Sequence, residues 1–396
     1  MLIKNVDALV GEELKYVRQI DIRIRDGKFV YIGSNLRQNS KEERADCEGL
    51  VAVPGFVNCH THLGDSIAKD VFLNGSADKR IHPVSGIKPR ILGNTSQEHL
   101  ASFMRNSCIS MMRRGITTFA DFREDGIRGI RSLRNAISGL PIRPIILGRL
   151  DMYCDQNQIR HNMRFPRNME PKLDELLSEC DGLGISGANE NSTPLLNRYS
   201  RTPKLRAIHS AETQQSVRTS KKITGRSEPA RALKLRPHFL VHMTHATAAE
   251  LRAVARHSAG IVVCPRANAS LAEGIPDIEL MAKSGCIIGL GTDNVMINSP
   301  DMFREMDYLW KVTMGMHKRQ VEPREILKMA TINGGKILCR NIGAIKQGML
   351  ADCLFLDKHA LDLEPMHNPY ASIVHRAGGS SVRAVMIGGE LAYGRI

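Results

Sequence analysis

The chain has 396 residues, 42% hydrophobic and 24% charged, which gives enough apolar material for a sizeable core and excludes a disordered or low-complexity polymer. Lysine plus arginine (55) exceed aspartate plus glutamate (41), and the net charge of +14 permits nucleic acid, an anionic surface or an anionic substrate without choosing among them. No apolar run approaches the roughly 20 residues of a membrane span. The start, Met1 to Asp7, has no secretory leader pattern, and nine dispersed cysteines without a CxxC pair fit a reduced, cytoplasmic protein.

Along the chain, residues 15–25 alternate apolar and charged side chains (Val17, Ile20, Ile22, Ile24). Asp26-Gly27 is a hairpin turn signal, and 29–32 returns as a strand. The polar stretch 39–46 reads as a loop. From Val51 the texture changes. Short β-rich runs at 56–59, 116–119, 142–147, 182–186, 205–208, 239–241, 261–264 and 287–290 alternate with helical periods at 99–113, 127–137, 173–180, 246–257 and 302–312. About eight strand–helix units favour a (β/α)8 TIM barrel over an open doubly wound sheet. Strand texture returns at 351–356, 382–387 and 391–393, the last two flanking Gly388-Gly389. Neither end supplies enough strands for a sheet of its own. The expected architecture is therefore α/β: a barrel of residues 54–340, with a small composite β-sandwich built from 1–53 and 341–396.

The residues that carry chemistry recur at one structural place. In Pro54-Gly55-Phe56-Val57-Asn58-Cys59-His60-Thr61-His62, the two histidines are two apart on a strand, so they point the same way and can hold one metal. His209 and Glu212 follow a second strand, His242 a third, and Asp293 a fourth. Barrel active sites lie at the C-terminal strand ends, so these residues converge. His245, His82, His99, His161, His238, His257, His317, His359, His367 and His375 read as ordinary surface or structural histidines.

Over almost its whole length the chain resembles the amidohydrolase superfamily of metal-dependent hydrolases, in its branch of cytosine, guanine and S-adenosylhomocysteine deaminases. VPGFVNCHTH at 53–62, GITTFADF at 115–122, HSAE at 209–212, VCPRANASL at 263–271, GTDN at 291–294, ATINGGKIL at 330–338 and IKQGMLADCLFLD at 345–357 carry the likeness. The resemblance implies His60, His62, His209 and Asp293 as ligands of one divalent metal, zinc by preference with iron or manganese as alternatives. Where the binuclear branch carries a bridging lysine, this chain reads Gly184 to Glu190 without one, so a single metal is favoured, with Glu190 the residue that could bridge a second. It also implies Asp293 as the base that takes a proton from water, Glu212 as the proton carrier to ring nitrogen and leaving amine, and His242 as the stabiliser of the oxyanion. A homodimer is expected on the same ground.

Substrate recognition is less marked. The apolar, tryptophan-containing loop and ribose-binding acid of adenosine-type members are missing, since the only tryptophan is Trp310. The loop from Leu63 to Arg90 is closer to archaeal members labelled chlorohydrolases. Lys69, Lys79, Arg80, Lys88, Arg90 and Arg149 gather near the expected mouth, and more basic residues follow between the fifth and sixth strands. Arg149, Lys88 and Arg90 are candidate anchors for a small anionic substrate, against a merely solvated rim. The function expected is deamination of a nucleobase-like or other cyclic amidine, with a cyclic amidase or a C–halogen hydrolase acting on a triazine-like ring as the alternative. A tRNA-binding role would use the charge, but no RNA-binding motif appears and aromatics are 5% of the chain.

Overall fold

The alternation of short apolar strands with amphipathic helices produces a closed parallel barrel. The computed structural model describes residues 1–39, 42–71, 77–318 and 320–396. Strands β1 (Leu2–Val10), β2 (Lys15–Arg25), β3 (Lys28–Gly33), β4 (Arg44–Asp46) and β5 (Leu50–Pro54) come first. The barrel follows as β6 (Phe56–His62), β7 (Ile116–Arg123), β8 (Arg143–Gly148), β9 (Gly182–Ile185), β10 (Leu205–Ser210), β11 (Phe239–His242), β12 (Gly260–Val263), β13 (Ile288–Leu290) and β14 (Asp293–Asn294). Each pairs with its predecessor in parallel, apart from β14, which returns to β6. Between β13 and β14, Gly291 donates its amide to Val263 and Thr292 donates to the carbonyl of His60. The run 288–294 thus acts as one kinked eighth strand that closes the ring. A Cβ on Gly291 would stand 2.7 Å from the Cβ of His60, so only glycine lets the two strands meet there.

The barrel interior is filled by Val57, Cys59, Phe122, Leu147, Phe239, Val241 and Val262, as expected of a packed barrel rather than a pore. The register between β6 and β7 places an uncommon feature at the site. Asn58 lies opposite Phe119, yet Thr61 lies opposite Asp121. β6 holds one residue more than its neighbour over this stretch. The bulge turns both Cys59 and His60 inward, although they are adjacent in sequence, and His60 then packs edge-on against Phe122, with ring centroids 4.4 Å apart.

The two chain ends meet in one sheet ordered β17-β16-β15-β5-β1-β2-β3, with β4 beside β1, where β15 is Cys353–Asp357, β16 Val382–Ile387 and β17 Glu390–Gly394. Ile3, Val6, Ile22, Phe29, Phe355 and Met386 form its core. Phe29 donates its amide to Met349 and Gly389 donates to Ala351, so the sheet rolls over this core. The two layers expected of a sandwich are halves of that rolled sheet. The stretch expected as a loop at 39–46 contains β4, because Ala45 buries while Arg44 and Asp46 stay exposed; residues 40 and 41 lie outside the described residues. Among the described residues no helix is long and apolar enough to cross a membrane.

Candidate active site

The C-terminal ends of β6 and β10 and the start of β14 bring together four atoms able to hold a metal. His60 Nε2 lies 3.2 Å from His209 Nε2 and 3.1 Å from Asp293 Oδ1. His62 Nε2 lies 3.3 Å from His209 Nε2 and 3.5 Å from Asp293 Oδ1. A tetrahedral ion with ligand bonds of about 2.0–2.1 Å needs ligand–ligand edges of roughly 3.3–3.4 Å, and these four separations are close to that. The outer nitrogens fix the tautomers. His62 Nδ1 donates to Glu124 Oε1 at 3.0 Å, and His209 Nδ1 donates to the carbonyl of Ile185 at 3.1 Å. Each ring therefore turns an Nε2 lone pair towards the centre. Burial holds His60 down at about 3 and His209 well below the usual imidazole range, so both are neutral and able to ligate.

Glu212, His242 and Asp293 form a second group against the first. Burial pushes the Glu212 carboxyl up to about 7. Its Oε2 lies 3.5 Å from His242 Nε2, and its Oε1 is buried with no partner. His242 Nδ1 lies 3.3 Å from the side-chain amide of Asn268, which aims Nε2 at the cavity. Asp293 Oδ2 also has no partner. Burial opposes ionisation of Asp293, but the hydrogen bond from His60 and the surrounding imidazoles outweigh it and hold the carboxyl low. The strand ends reach this geometry through left-handed backbone at Ala211 (φ 48°), His242 (71°), Met243 (55°) and Asp293 (60°). Such conformations cost about 1–3 kcal/mol each at non-glycine residues and cluster at functional sites.

His60 is fully buried, and next to it His62, His209, Glu212, His242 and Asp293 line a cavity of about 320 Å³. Leu92, Leu100 and Met104 give it an apolar wall, and Arg149, Asp151, Tyr153, Glu190 and His82 supply polar groups. Arg149 is nearly buried; its Nε has no partner, and its Nη2 is 3.7 Å from Glu124 Oε1. Of the other two expected anchors, one is engaged by carboxylates and one faces solvent. Lys88 lines the cavity, but its ammonium is 2.7 Å from Glu124 and 3.2 Å from Asp65, so structural carboxylates take up its charge. Arg90 is exposed and falls outside the cavity lining, because the short helix Ile87–Gly93 turns Lys88 inward and Arg90 outward. Lys69 and Lys79 are likewise exposed.

His82, read from sequence as ordinary, lines the cavity. Its Nδ1 accepts the amides of Val84 and Ser85, leaving Nε2 to point at Glu190 Oε1, 3.7 Å away. Glu190 belongs to none of the groups of ligand atoms that could close on an ion among the described residues. Burial, then repulsion from Glu228, raises its carboxyl to about 7. No spacing in the sequence marks His82, since it reaches the cavity from a loop.

Residues 51–392 match the Amidohydrolase family. The chain belongs to the amidohydrolase family. A protein of Methanothermobacter thermautotrophicus, provisionally named an aminohydrolase, is 36% identical over 99% of this chain and 98% of its own length. A 5-methylthioadenosine/S-adenosylhomocysteine deaminase of Thermoanaerobacter pseudethanolicus is 29% identical over 99% of this chain and 93% of its own. Among solved structures, a zinc complex of atrazine chlorohydrolase from Arthrobacter aurescens superposes with a TM-score of 0.86 at 18% identity, covering 98% of this chain and 94% of that one. An adenosine deaminase of Xanthomonas campestris with bound zinc superposes at 0.85 and 20% identity, covering 98% and 92%. These likenesses establish the amidohydrolase barrel with its added β-sheet domain as the fold of this hydrolase.

Proposed function

We propose that this amidohydrolase carries one divalent metal, zinc by preference, on His60, His62, His209 and Asp293, and hydrolytically deaminates a nucleobase-like or other cyclic amidine. The observation that carries the reading is the placement of Glu212 and His242 directly beside the ligand cage at the floor of the cavity. When bound, the metal supplies Lewis acidity that lowers the pKa of water towards about 7. The protein's own residues do the rest. Asp293, through the unpartnered Oδ2, takes a proton from the attacking water. Glu212, whose carboxyl is raised by burial into the range where it both holds and gives a proton, gives its proton to a ring nitrogen as the water oxygen attacks; the proton on Asp293 and the hydroxyl proton of the adduct then go one to the departing amine, released as ammonia, and one back to Glu212. His242, fixed by Asn268, turns Nε2 towards the oxygen that gathers negative charge. Arg149, with a free Nε on the wall, anchors an anionic group of the substrate.

Ammonia release from zinc-reconstituted protein, screened over purines, pyrimidines, pterins and their nucleosides, tests the reading. Turnover without ammonia would overturn it. The chlorohydrolase-like fold supports a second reading, displacement of a ring substituent on a triazine, in which halide release replaces ammonia. Ring opening with neither product marks a cyclic amidase.

A further inference from the structure

One carboxylate next to the site is not used by the chemistry above, and it has more partners than any ligand. Glu124 follows β7 and is buried. Its Oε1 accepts from His62 Nδ1 at 3.0 Å and from Lys88 Nζ at 2.7 Å, with Arg149 Nη2 at 3.7 Å. Its Oε2 accepts from Arg123 Nη2 at 2.6 Å. The network closes on both sides. Arg123 Nη1 is 3.3 Å from Asp121, whose Oδ1 accepts the amide of Leu63, the residue after His62. Lys88 Nζ is 3.2 Å from Asp65, whose oxygens accept from Asn294 Nδ2 and the Met296 amide, just past Asp293. Gly64 leaves room for it, since a Cβ there would stand 1.9 Å from Arg123 Nη2.

The charges balance. Glu124, Asp121 and Asp65 face Lys88, Arg123 and Arg149, so three carboxylates meet three cations, and the Nδ1 of His62 meets Glu124 at the edge of the cluster. Two of the anchors lie beside a proposed ligand in the chain: Leu63 after His62, Asn294 after Asp293. Such an arrangement does more than fill space. It fixes one ring tautomer and the position of two strand ends at once.

We propose that Glu124 is a positioning residue of the metal centre: it holds His62 in its Nδ1–H tautomer, and Lys88, Arg123 and Arg149 hold Glu124 in place for that task. Lys88 therefore serves the metal site from the short helix Ile87–Gly93. The inference rests on the ligand assignment proposed above, and metal binding tests it without any substrate.

The test measures zinc affinity by competition with a chromophoric chelator on the full chain. Glu124→Asp keeps the charge for the three cations but is too short to reach His62. It is expected to lose about 10–100-fold in zinc affinity. Asp352→Asn serves as the control. Asp352 is also buried, pairs with Arg143 and accepts the Gly388 amide on the β-sheet side, and its loss should lower the unfolding temperature and leave zinc affinity unchanged. Wild-type zinc affinity in folded Glu124→Asp overturns the proposal. Should Glu124→Asp not fold, the wild-type zinc complex decides: its histidine ring ¹⁵N spectrum must show His62 with a slowly exchanging proton on Nδ1 and the metal on Nε2, and the reverse assignment overturns it. Loss of zinc from His62→Ala identifies that ring and separates the two ideas, because zinc affinity unchanged in His62→Ala sinks the ligand assignment itself.

Discussion

The floor of the cavity and its outer wall are built from the same residue types in opposite ways. On the floor, His60, His62, His209, Asp293, Glu212 and His242 come from strand ends, and several of their polar atoms face a common centre with no protein partner. On the wall, Lys88, Arg123 and Arg149 face Glu124, Asp121 and Asp65, three cations against three carboxylates. A buried charge left unpaired is costly unless a ligand completes it. The unpaired floor therefore marks chemistry, and the paired wall marks support. Arg149 and Glu190 stand between these cases, partly unpaired, and it is Arg149 that the proposed function turns towards the substrate.

The largest test of this contrast removes a floor ligand. Asp293→Ala and His60→Ala are expected to abolish turnover and to lower the zinc content of purified protein, measured by elemental analysis. Full zinc occupancy with no activity would show that the floor holds metal elsewhere. Glu212→Gln comes next: turnover should fall by about 10²–10⁴-fold with zinc occupancy unchanged, because Glu212 stands beside the cage and not in it. Loss of metal in that variant would move Glu212 from proton transfer to ligation.

An intermediate effect is expected at the boundary between floor and wall. Arg149→Ala should lower kcat/KM on the true substrate by about 10–100-fold, the worth of a charge-assisted hydrogen bond of roughly 1.5–3 kcal/mol. Arg90→Ala, on the solvent side of the same basic rim, should leave kcat/KM unchanged. Equal effects of the two would show that the rim acts as a diffuse field, and the contrast between free and paired groups would lose its meaning there.

How much of this was legible beforehand follows the same division. The strand periods placed all eight barrel positions, and the spacing of His60 with His62, together with the acids and histidines at later strand ends, pointed to the floor. That works because a strand end fixes where a side chain goes, so position in sequence becomes position in space. The wall was not legible. Lys88 and Arg90 are two apart on a short helix and look alike as letters, yet one is buried between two carboxylates and the other lies in solvent. His82 enters from a loop whose path no periodicity sets. The bulge in β6 was also hidden, because it depends on the register against β7 and not on β6 alone. Ala45 shows the same limit in the terminal sheet, where one buried residue makes a strand from a polar stretch.

The smallest effect, and the sharpest for the wall, concerns pH. Glu190 has a carboxyl raised to about 7 in the folded protein, first by burial and then by Glu228, against an ordinary value of 4.5. Between those values the folded chain keeps a proton that the unfolded chain has released. Its contribution to stability is therefore complete below about 4.5 and is lost as pH rises through 7. Glu190→Gln is neutral at every pH and carries no such loss. Relative to wild type, the variant should gain stability by roughly 1–3 kcal/mol between pH 5 and pH 8, with the lower end favoured because the side chain keeps 15% exposure to the cavity. Urea unfolding of the zinc-loaded proteins at the two pH values measures it. A difference that does not change with pH would mean that Glu190 is already ionised and satisfied, for instance by His82 closing the 3.7 Å gap. Glu190 would then belong with the self-paired wall, and Arg149 alone would be left to select the substrate.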